Sequence, residues 1–411
     1  MSPVLGVIAD DHTGGSDVAA ALRRAGMRTV LRFGIPAPGT VPPDCDAVVV
    51  ALKTRSLPAA EAVDQSSRAW DWLAEVGVRR LYVKYCSTFD STDEGNIGPV
   101  TDALADGALT LICPASPEHG RTTYLGHLFV DGALLSESPM RHHPLTPMTD
   151  SNLVRVLARQ TPHPVGLLPL DVVRAGAIRA HLDSLAARGI RHVVVDATED
   201  GDLIQVARAT DHLPVVTGGA GLAGAIARTT SIPRPAEATT LPSGPAVILA
   251  GSCSAATLGQ LGHALARFPA HRLDPVATPD PADLAGTALA WLDENFGDVP
   301  VVLYSSANVE ERDAARAAMG PDTSGVLERT LGLLAERAVK LGARRVVVAG
   351  GETSGAVTAA LGVDQVLVGG EADRGVPWCL TSGDDPVALL LKSGNFGRPD
   401  LLVRAAQGDL R

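Results

Sequence analysis

The stretch VLGVIADDHTGGSDVAAALRRAG, residues 4–26, decides the fold. Residues 4–9 are short and apolar, as is typical of a strand that is covered on both faces of a parallel sheet. Two aspartates follow at once, and residues 15–25 have the apolar spacing of a helix. The stretch therefore predicts a strand, a polar turn and a helix, which is the repeating unit of α/β proteins.

The same alternation recurs along the chain. Further strands are expected at residues 47–52, 80–85, 109–113, 192–195 and 213–217, with helices at 59–76 and 175–188. A second series of strands is expected at residues 246–250, 301–304, 345–349 and 365–368. Between the two series, residues 229–245 contain four prolines and almost no large apolar side chain, which indicates a linker. We predict an α/β protein of two domains, each a mainly parallel sheet flanked by helices: residues 1–230, a linker at 231–245, and residues 246–411.

Length and composition agree with this division. The 411 residues are too many for one ordinary core. A net charge of -11 argues against nucleic acid as a partner, because a nucleic-acid binder needs a basic face. The five cysteines are scattered and form no C-x-x-C pair, so neither a disulfide framework nor a zinc site is expected. No run is apolar enough for a membrane span or a signal peptide, so we expect no membrane partner and a cytoplasmic location.

Ligands of parallel sheets bind where the strands end, so the residues after each predicted strand are the first candidates for a site. Asp10 and Asp11 follow the first strand, and Thr13 and Gly14 lead into the helix. Two adjacent carboxylates are costly unless they hold a cation or accept hydrogen bonds from a hydroxylated ligand. A simple helix cap is the alternative. An aspartate-loop phosphatase is excluded because His12 stands where its second aspartate is required.

Two further loops of the first half carry polar side chains. Arg55 follows the second strand, where its guanidinium could capture a carboxylate or simply be solvated. Lys84 ends the third strand and is followed by Asp90, Ser91 and Thr92 in a loop rich in hydroxyl groups, which suits a polyhydroxylated ligand. The irregular segment at residues 113–147 contains several histidines without metal-ligand spacing, so we expect it to cover a substrate or to pack.

Three glycine-containing loops in the second half indicate a nucleotide site. They lie at residues 251–254, 350–355 and 392–397, and those at 251–254 and 350–355 come directly after a predicted strand. Glycines let the backbone approach phosphates, and a following helix offers its N–H groups. The loop at 350–355 is not a Walker A motif, because Ala356 and Val357 replace the required Lys and Ser/Thr. Residues 219–224 satisfy G-x-G-x-x-G, but the linker follows instead of a second strand, so NAD is not expected.

These motifs resemble those of the four-carbon acid sugar kinases. The resemblance rests on Asp-Asp-x-Thr-Gly-x-x-Asp at residues 10–17, on Lys84 with the Asp-Ser-Thr at 90–92, and on the glycine motifs at 350–355 and 392–397. The longer strings around residues 84–99 and 140–148 are similar to the 3-oxo-tetronate branch of the family. One departure is His12, where many members carry Phe.

The resemblance implies a sugar-acid domain, an ATP domain and chemistry in the cleft between them. It implies transfer of phosphate from ATP, with Mg²⁺, to 3-oxo-tetronate, giving the 4-phosphate. We expect Asp11 or Asp90 to be the catalytic base, because phosphoryl transfer needs a carboxylate to accept the hydroxyl proton. The expected substrate residues are Asp10, Thr13, Gly14, Arg55, Lys84, Ser91 and Thr92. The expected ATP residues are Ser254, Gly350, Gly351, Glu352, Thr353, Gly394 and Gly397; no metal ligand is assigned.

Alternatives stay open on the sequence alone. A D-threonate or D-erythronate 4-kinase of the same family would carry the same loops. An aldolase or isomerase would leave the glycine loops without a role. A non-catalytic sugar-acid-binding protein would bind the acid without consuming ATP. The expected partners are a small sugar acid and ATP, and assembly as a homodimer is left open.

Overall fold

A computed structural model describes residues 3–143, 146–231 and 238–409. The chain divides into two compact units, Met1–Ala236 and Glu237–Arg411. This boundary falls within the stretch predicted to be a linker, residues 231–245, of which residues 232–237 lie outside the described part of the chain. None of the helices in the described ranges is both long and apolar enough to cross a bilayer.

The N-terminal unit is built on an eight-stranded sheet in which every neighbouring pair is parallel. The described strands of the whole unit, including three that lie outside this sheet, are β1 (Leu5–Ala9), β2 (Thr29–Phe33), β3 (Ala47–Ala51), β4 (Leu81–Lys84), β5 (Thr110–Cys113), β6 (Arg121–Tyr124), β7 (His127–Val130), β8 (Ala133–Leu134), β9 (Val165–Leu168), β10 (His192–Val195) and β11 (Val215–Gly218). The order is β2-β3-β1-β4-β11-β5-β10-β9, and β6, β7 and β8 form a separate antiparallel sheet.

Helices flank this sheet. They are α1 (His12–Arg24), α2 (Ala59–Glu75), α3 (Ile97–Ala105), α4 (Leu153–Ala158), α5 (Leu170–Arg174), α6 (Ile178–Ala187), α7 (Asp200–Ala209) and α8 (Ala220–Thr229), with 3-10 turns at Pro117–His119, Leu135–Glu137 and Pro139–His142. Strands β1, β3, β4, β5 and β10 are buried at every residue. This explains why the sequence shows apolar runs there rather than alternation.

The C-terminal unit has a seven-stranded mixed sheet. Its strands are β12 (Ala246–Ala250), β13 (Ala270–Arg272), β14 (Val301–Tyr304), β15 (Arg345–Ala349), β16 (Gln365–Asp373), β17 (Val376–Leu380) and β18 (Ala388–Lys392). The order is β13-β14-β12-β15-β18-β17-β16; the first five strands are parallel, and β17 is antiparallel to both of its neighbours. Its helices are α9 (Ala255–Leu265), α10 (Pro281–Asn295), α11 (Val309–Met319), α12 (Thr323–Lys340), α13 (Gly351–Ala360) and α14 (Leu401–Gln407).

The fold class predicted from the sequence is confirmed, and some element bounds are corrected. The helix predicted at residues 175–188 is α6, which begins three residues later, at Ile178; α5 ends before the predicted range, and Gly176, with a φ of +71°, lies in the turn between the two helices. The strand predicted at 365–368 continues to Asp373, since it pairs with β17 in a hairpin. Several strands were not predicted, among them β2, β9 and β18.

Each unit reverses its strand order at one point. In the N-terminal unit the chain leaves β1 toward β2 on one side and leaves β4 toward β5 on the other, so β1 and β4 flank the reversal. In the C-terminal unit β12 and β15 do the same. At such a point the two loops diverge and open a crevice for ligands beyond the carboxyl ends of the strands.

Candidate active site

The predicted acid site begins at the crevice between β1 and β4. The backbone N–H of Asp10 donates to the carbonyl oxygen of Lys84 at 3.0 Å, which fixes the end of β1 against the end of β4. Asp11 caps α1, where its carboxylate accepts from the N–H of Gly14 at 2.7 Å. The helix cap that the sequence offered as the alternative interpretation of this motif is therefore present, and it is formed by Asp11.

Arg55 holds both aspartates. Its Nε and Nη2 donate to the two carboxylate oxygens of Asp10 at 2.9 and 2.8 Å, and Nη2 also donates to Asp11 at 2.8 Å. Although burial alone would lower the pKa of Arg55, the charges of Asp10 and Asp11 hold it well above its ordinary value. Burial raises the pKa of Asp11, and the charge of Arg55 opposes this only in part. The two adjacent carboxylates are thus balanced chiefly by one guanidinium.

A second cation lies beside Arg55. The ammonium of Lys84 donates to the carbonyl oxygen of Tyr85 at 2.9 Å and lies 3.9 Å from the carboxylate of Asp17. A side chain on Gly14 would meet Asp11 Oδ1 at 2.5 Å, Lys84 Nζ at 3.1 Å and Arg55 Nη2 at 3.6 Å. Glycine at this position therefore lets the first turn of α1 pass close to both cations, and Thr13 lies half-buried in the same turn.

The loop after β4 brings Asp90 to the same region. Asp90 accepts from the hydroxyl of Thr88 at 2.6 Å, and Thr88 contacts Cys86 at 2.9 Å. Burial raises the pKa of Cys86 to about 11, with the charge of Asp90 adding to the rise and those of Arg55 and Lys84 opposing it. The charges of Asp90, Arg55 and Lys84 therefore all act on the thiol of Cys86.

The other predicted residues of this loop are placed differently. The hydroxyl of Ser91 accepts from the amide of Gln160 at 2.8 Å and is buried, while Thr92 is exposed. The structure thus brings together Asp10, Asp11, Gly14, Arg55 and Lys84, whereas Ser91 is hydrogen-bonded to Gln160. Whether Ser91 and Thr92 bind substrate stays a prediction.

Sequence reasoning missed several residues of this cluster. Asn96 donates to the carbonyl oxygens of Thr54, Arg55 and Leu57, at 2.7, 3.2 and 3.2 Å, and so fixes the loop that carries Arg55. His119 lies 3.9 Å from Asp17. Asp17 closes the N-terminal motif and so carried a signal, whereas His119 comes from an irregular segment in which no spacing distinguishes it.

In the C-terminal unit the predicted nucleotide loops follow β12 and β15, the strands at the reversal point. Residues 251–253 and 350–353 line a cavity of about 720 Å³, together with residues of α11 and α12. Gly350 adopts a φ of +136°, and a side chain there would meet the hydroxyl of Thr353 at 2.8 Å. Gly351 and Glu352 open α13 and are exposed, whereas Thr353 is buried. The first N–H groups of α13 have no helical acceptor and can face an anion.

The third predicted loop is tied to α9. Ser254 caps α9 and donates to the carbonyl oxygen of Gly394 at 2.6 Å. Gln260 donates to the carbonyl oxygens of Phe396, Gly397 and Arg398 at 2.9–3.0 Å. A side chain on Gly394 would meet the hydroxyl of Ser252 at 2.5 Å. In the described part of the chain Gly394 and Gly397 are not among the residues that line the cavity; they contact α9 and the loop after β12.

No group of three His, Cys, Asp or Glu side chains in the described ranges could hold a metal ion. The His-rich segment predicted to cover a substrate or to pack forms the small antiparallel sheet and three 3-10 turns, and Pro144 and Leu145 lie outside the described residues.

The chain is similar to proteins of one family along nearly its whole length. Residues 5–226 match a family model described as a sugar-binding N-terminal domain, and residues 247–402 match one described as a nucleotide-binding C-terminal domain. A protein of Burkholderia multivorans named 3-oxo-tetronate kinase is 48% identical, over 98% of this chain and 96% of the relative. A protein of Cupriavidus necator with the same name is 47% identical over the same shares.

Solved structures agree. A crystal structure from Salmonella typhimurium LT2 is 42% identical, covers 98% of both chains and superposes with a TM-score of 0.89. Protein HI1011 of Haemophilus influenzae is 39% identical, over 98% of this chain and 99% of its own, with a TM-score of 0.84. The Salmonella structure carries a tRNA synthase label, which the curated relatives do not share. The two matched domains and the full-length identity together show that the chain belongs to the four-carbon acid sugar kinase family, in the group of the 3-oxo-tetronate kinases.

Proposed function

We propose that this kinase transfers the γ-phosphoryl group of ATP to the terminal hydroxyl of 3-oxo-tetronate and releases ADP and the 4-phosphate. The substrate is that of the named relatives. The observation that carries the proposal is the cluster at Gly14, where Asp11, Lys84 and Arg55 converge at the strand reversal of the sugar-binding unit. Two cations beside two carboxylates suit a ligand that is both an acid and a polyol.

Arg55 is the proposed ligand of the substrate carboxylate. Its Nε and Nη2 are bound to Asp10 and Asp11, so the two N–H groups of Nη1 face away from those contacts. Lys84 is nearly inaccessible to solvent and donates to a backbone carbonyl. Its charge would therefore attract the substrate carboxylate from a short distance without being exposed to solvent. Asp10 would keep Arg55 in a single orientation.

Asp11 or Asp90 is the proposed base. Phosphoryl transfer depends on alignment and on acceptance of the hydroxyl proton. Asp11 already accepts from Gly14 and Arg55, while the contact found for Asp90 is with the hydroxyl of Thr88. A raised pKa makes Asp11 a stronger proton acceptor once it is ionised. The two single variants separate these assignments.

The nucleotide is proposed to bind in the cavity of the C-terminal unit. Its volume of about 720 Å³ is in the range of ligand pockets. Residues 251–253 and 350–353 would contact the phosphates through backbone N–H groups, with Ser254, Gly394 and Gly397 supporting those loops. Mg²⁺ would be held chiefly by the phosphates and water, as is usual for this ion.

An ADP-release assay across four-carbon acids tests the proposal. We expect release with 3-oxo-tetronate, and little with D-threonate or D-erythronate. The base variant, Asp11→Asn or Asp90→Asn, should lower kcat by about 10²–10⁴-fold. Asp64→Asn, an exposed aspartate on α2, is the matched control and should keep wild-type kcat. Absence of ADP with every acid would refute the kinase proposal, and near-normal kcat in both base variants would refute the assignment of the base.

A further inference from the structure

Lys392, the last residue of β18, is a buried cation. Only 1% of the residue is exposed. Its ammonium donates to the hydroxyl of Thr257 at 2.9 Å and to the carbonyl oxygens of Ser393 and Gly394 at 2.8 Å each. All three N–H groups are therefore used, and all three acceptors are neutral. Burial lowers the pKa of Lys392 to about 8, so the ammonium is still the main form at neutral pH.

Among the residues that the structure describes, no acidic side chain is paired with this charge. Within the described residues no carboxylate oxygen lies within 4.0 Å of Lys392 Nζ, and no charged neighbour contributes to the shift of its pKa. A buried ammonium without a paired charge is costly, so such groups are paired in most proteins. The carbonyl and hydroxyl dipoles satisfy its hydrogen bonds without cancelling its charge.

The position of the cation relates it to the nucleotide loops. Lys392 pairs with Ala349, and its carbonyl oxygen accepts from the N–H of Gly350 at 2.9 Å, directly where the loop after β15 begins. The carbonyl oxygen of Gly394, which Lys392 binds, also accepts from Ser254 at 2.6 Å and from Thr257 at 2.9 Å. The ammonium thus lies where the three loops at residues 251–254, 350–355 and 392–397 meet.

Two helix N-termini add to the positive potential there. Helix α9 begins after Ser254 and α13 begins after Gly350, and the N-terminal end of a helix carries a partial positive charge. The site thus gathers positive potential from three sources, and no carboxylate in the described part of the chain pairs with the ammonium. An anion supplied from outside would balance it.

We propose that Lys392 is a positioning residue for the phosphates of the nucleotide. Its hydrogen bonds hold the loop at 392–397 against the start of α9, and bound phosphate balances its charge. This inference rests on the nucleotide site of the proposed function and adds a residue to it. Because the three N–H groups are occupied, Lys392 acts through the loops and through its electrostatic field rather than by direct contact. Its effect should therefore grow with the number of phosphates on the ligand.

Calorimetric titration of the full-length protein with ATP, ADP, AMP and adenosine tests this. In Lys392→Met we expect ATP and ADP to bind about tenfold or more weakly and adenosine to bind within about threefold of wild type. Lys340→Met, which removes an exposed lysine of the same unit, is the matched control and should bind all four ligands like wild type. The unfolding midpoint without ligand should be kept or raised, because the variant removes an unpaired buried charge.

Lys392→Gln carries the same test if the methionine variant does not fold, because glutamine keeps two donors and removes the charge. ADP affinity unchanged in either folded variant, or a loss as large for adenosine as for ATP, would overturn the inference while leaving the nucleotide site intact. Failure of the wild-type protein to bind ATP or ADP would overturn the nucleotide site itself, and this inference with it.

Discussion

Replacing Arg55 by methionine tests how the two adjacent aspartates of the acid site are held. The substitution removes one guanidinium and with it three hydrogen bonds of 2.8–2.9 Å to Asp10 and Asp11. Methionine keeps most of the apolar length of the side chain, so packing changes little. What is lost is the charge that balances two neighbouring carboxylates.

The expected cost follows from how buried the three groups are. The side chains of Arg55, Asp10 and Asp11 are 26%, 14% and 28% exposed. Breaking a fully buried ion pair costs about 3–5 kcal/mol, whereas an exposed pair is worth about 0–1 kcal/mol. These partly exposed groups fall between the two limits, so Arg55→Met should cost about 2–4 kcal/mol. For a unit of this size that corresponds to a fall in Tm of about 4–16 °C.

Thermal unfolding followed by tryptophan fluorescence measures the effect, since Trp70 and Trp72 report on the N-terminal unit. The difference from wild type should shrink as the pH is lowered toward 4, because protonation removes the unbalanced negative charge. Arg68→Met, which removes an exposed pair with Asp64, is the control and should leave Tm unchanged within about 1 °C. A Tm for Arg55→Met equal to that of the control would refute the reasoning.

Three further predictions concern single residues. Burial raises the pKa of Asp11, so kcat/KM should fall as the pH is lowered through that raised pKa. The fall should begin at a higher pH than it would for an ordinary aspartate, and a pH–rate profile measures where it begins. Burial, with the charge of Lys53, lowers the pKa of His12 to about 4, so only the unfolded chain is protonated there between pH 6.5 and 4. His12→Phe should therefore lose less stability than wild type across that range in urea unfolding, and an equal loss would contradict this. Gly397 has a φ of +90°, and a side chain at this position would meet the side chain of Leu401 at 2.2 Å. Gly397→Ala should therefore lower Tm and weaken ATP binding. Calorimetry measures both quantities, and wild-type values would contradict the prediction.

The buried strands were the most predictable part of the fold. Residues 246–250, 301–304 and 345–349 form strands with the predicted bounds, because continuous apolar runs between polar turns leave few alternatives. Strand β18 is as long as β12 and β15 but was missed; its apolar run ends at Lys392, a residue type rarely buried. The half-exposed strands of the small antiparallel sheet carry no continuous apolar run.

The candidate site was predictable as a set of motifs but not as a geometry. The sequence indicated that Asp11, Arg55 and Lys84 belong to one acid site. It left Arg55 free to bind the substrate alone, whereas in the structure the same guanidinium also holds Asp10 and Asp11. Gly394 and Gly397 were predicted to contact ATP, and their contacts with α9 were not foreseen, because Gln260 and Thr257 carry no motif.

The sequence by itself determined the α/β class and the family, and it put the Asp-Asp-His-Thr-Gly motif directly after the first strand. These are local properties, because they depend on apolar runs and on residues that are neighbours along the chain. Only the tertiary structure decided that β1 lies beside β4 and β12 beside β15. Strand order depends on packing between residues that are far apart in sequence, and it alone brings Arg55 and Lys84 to the aspartates.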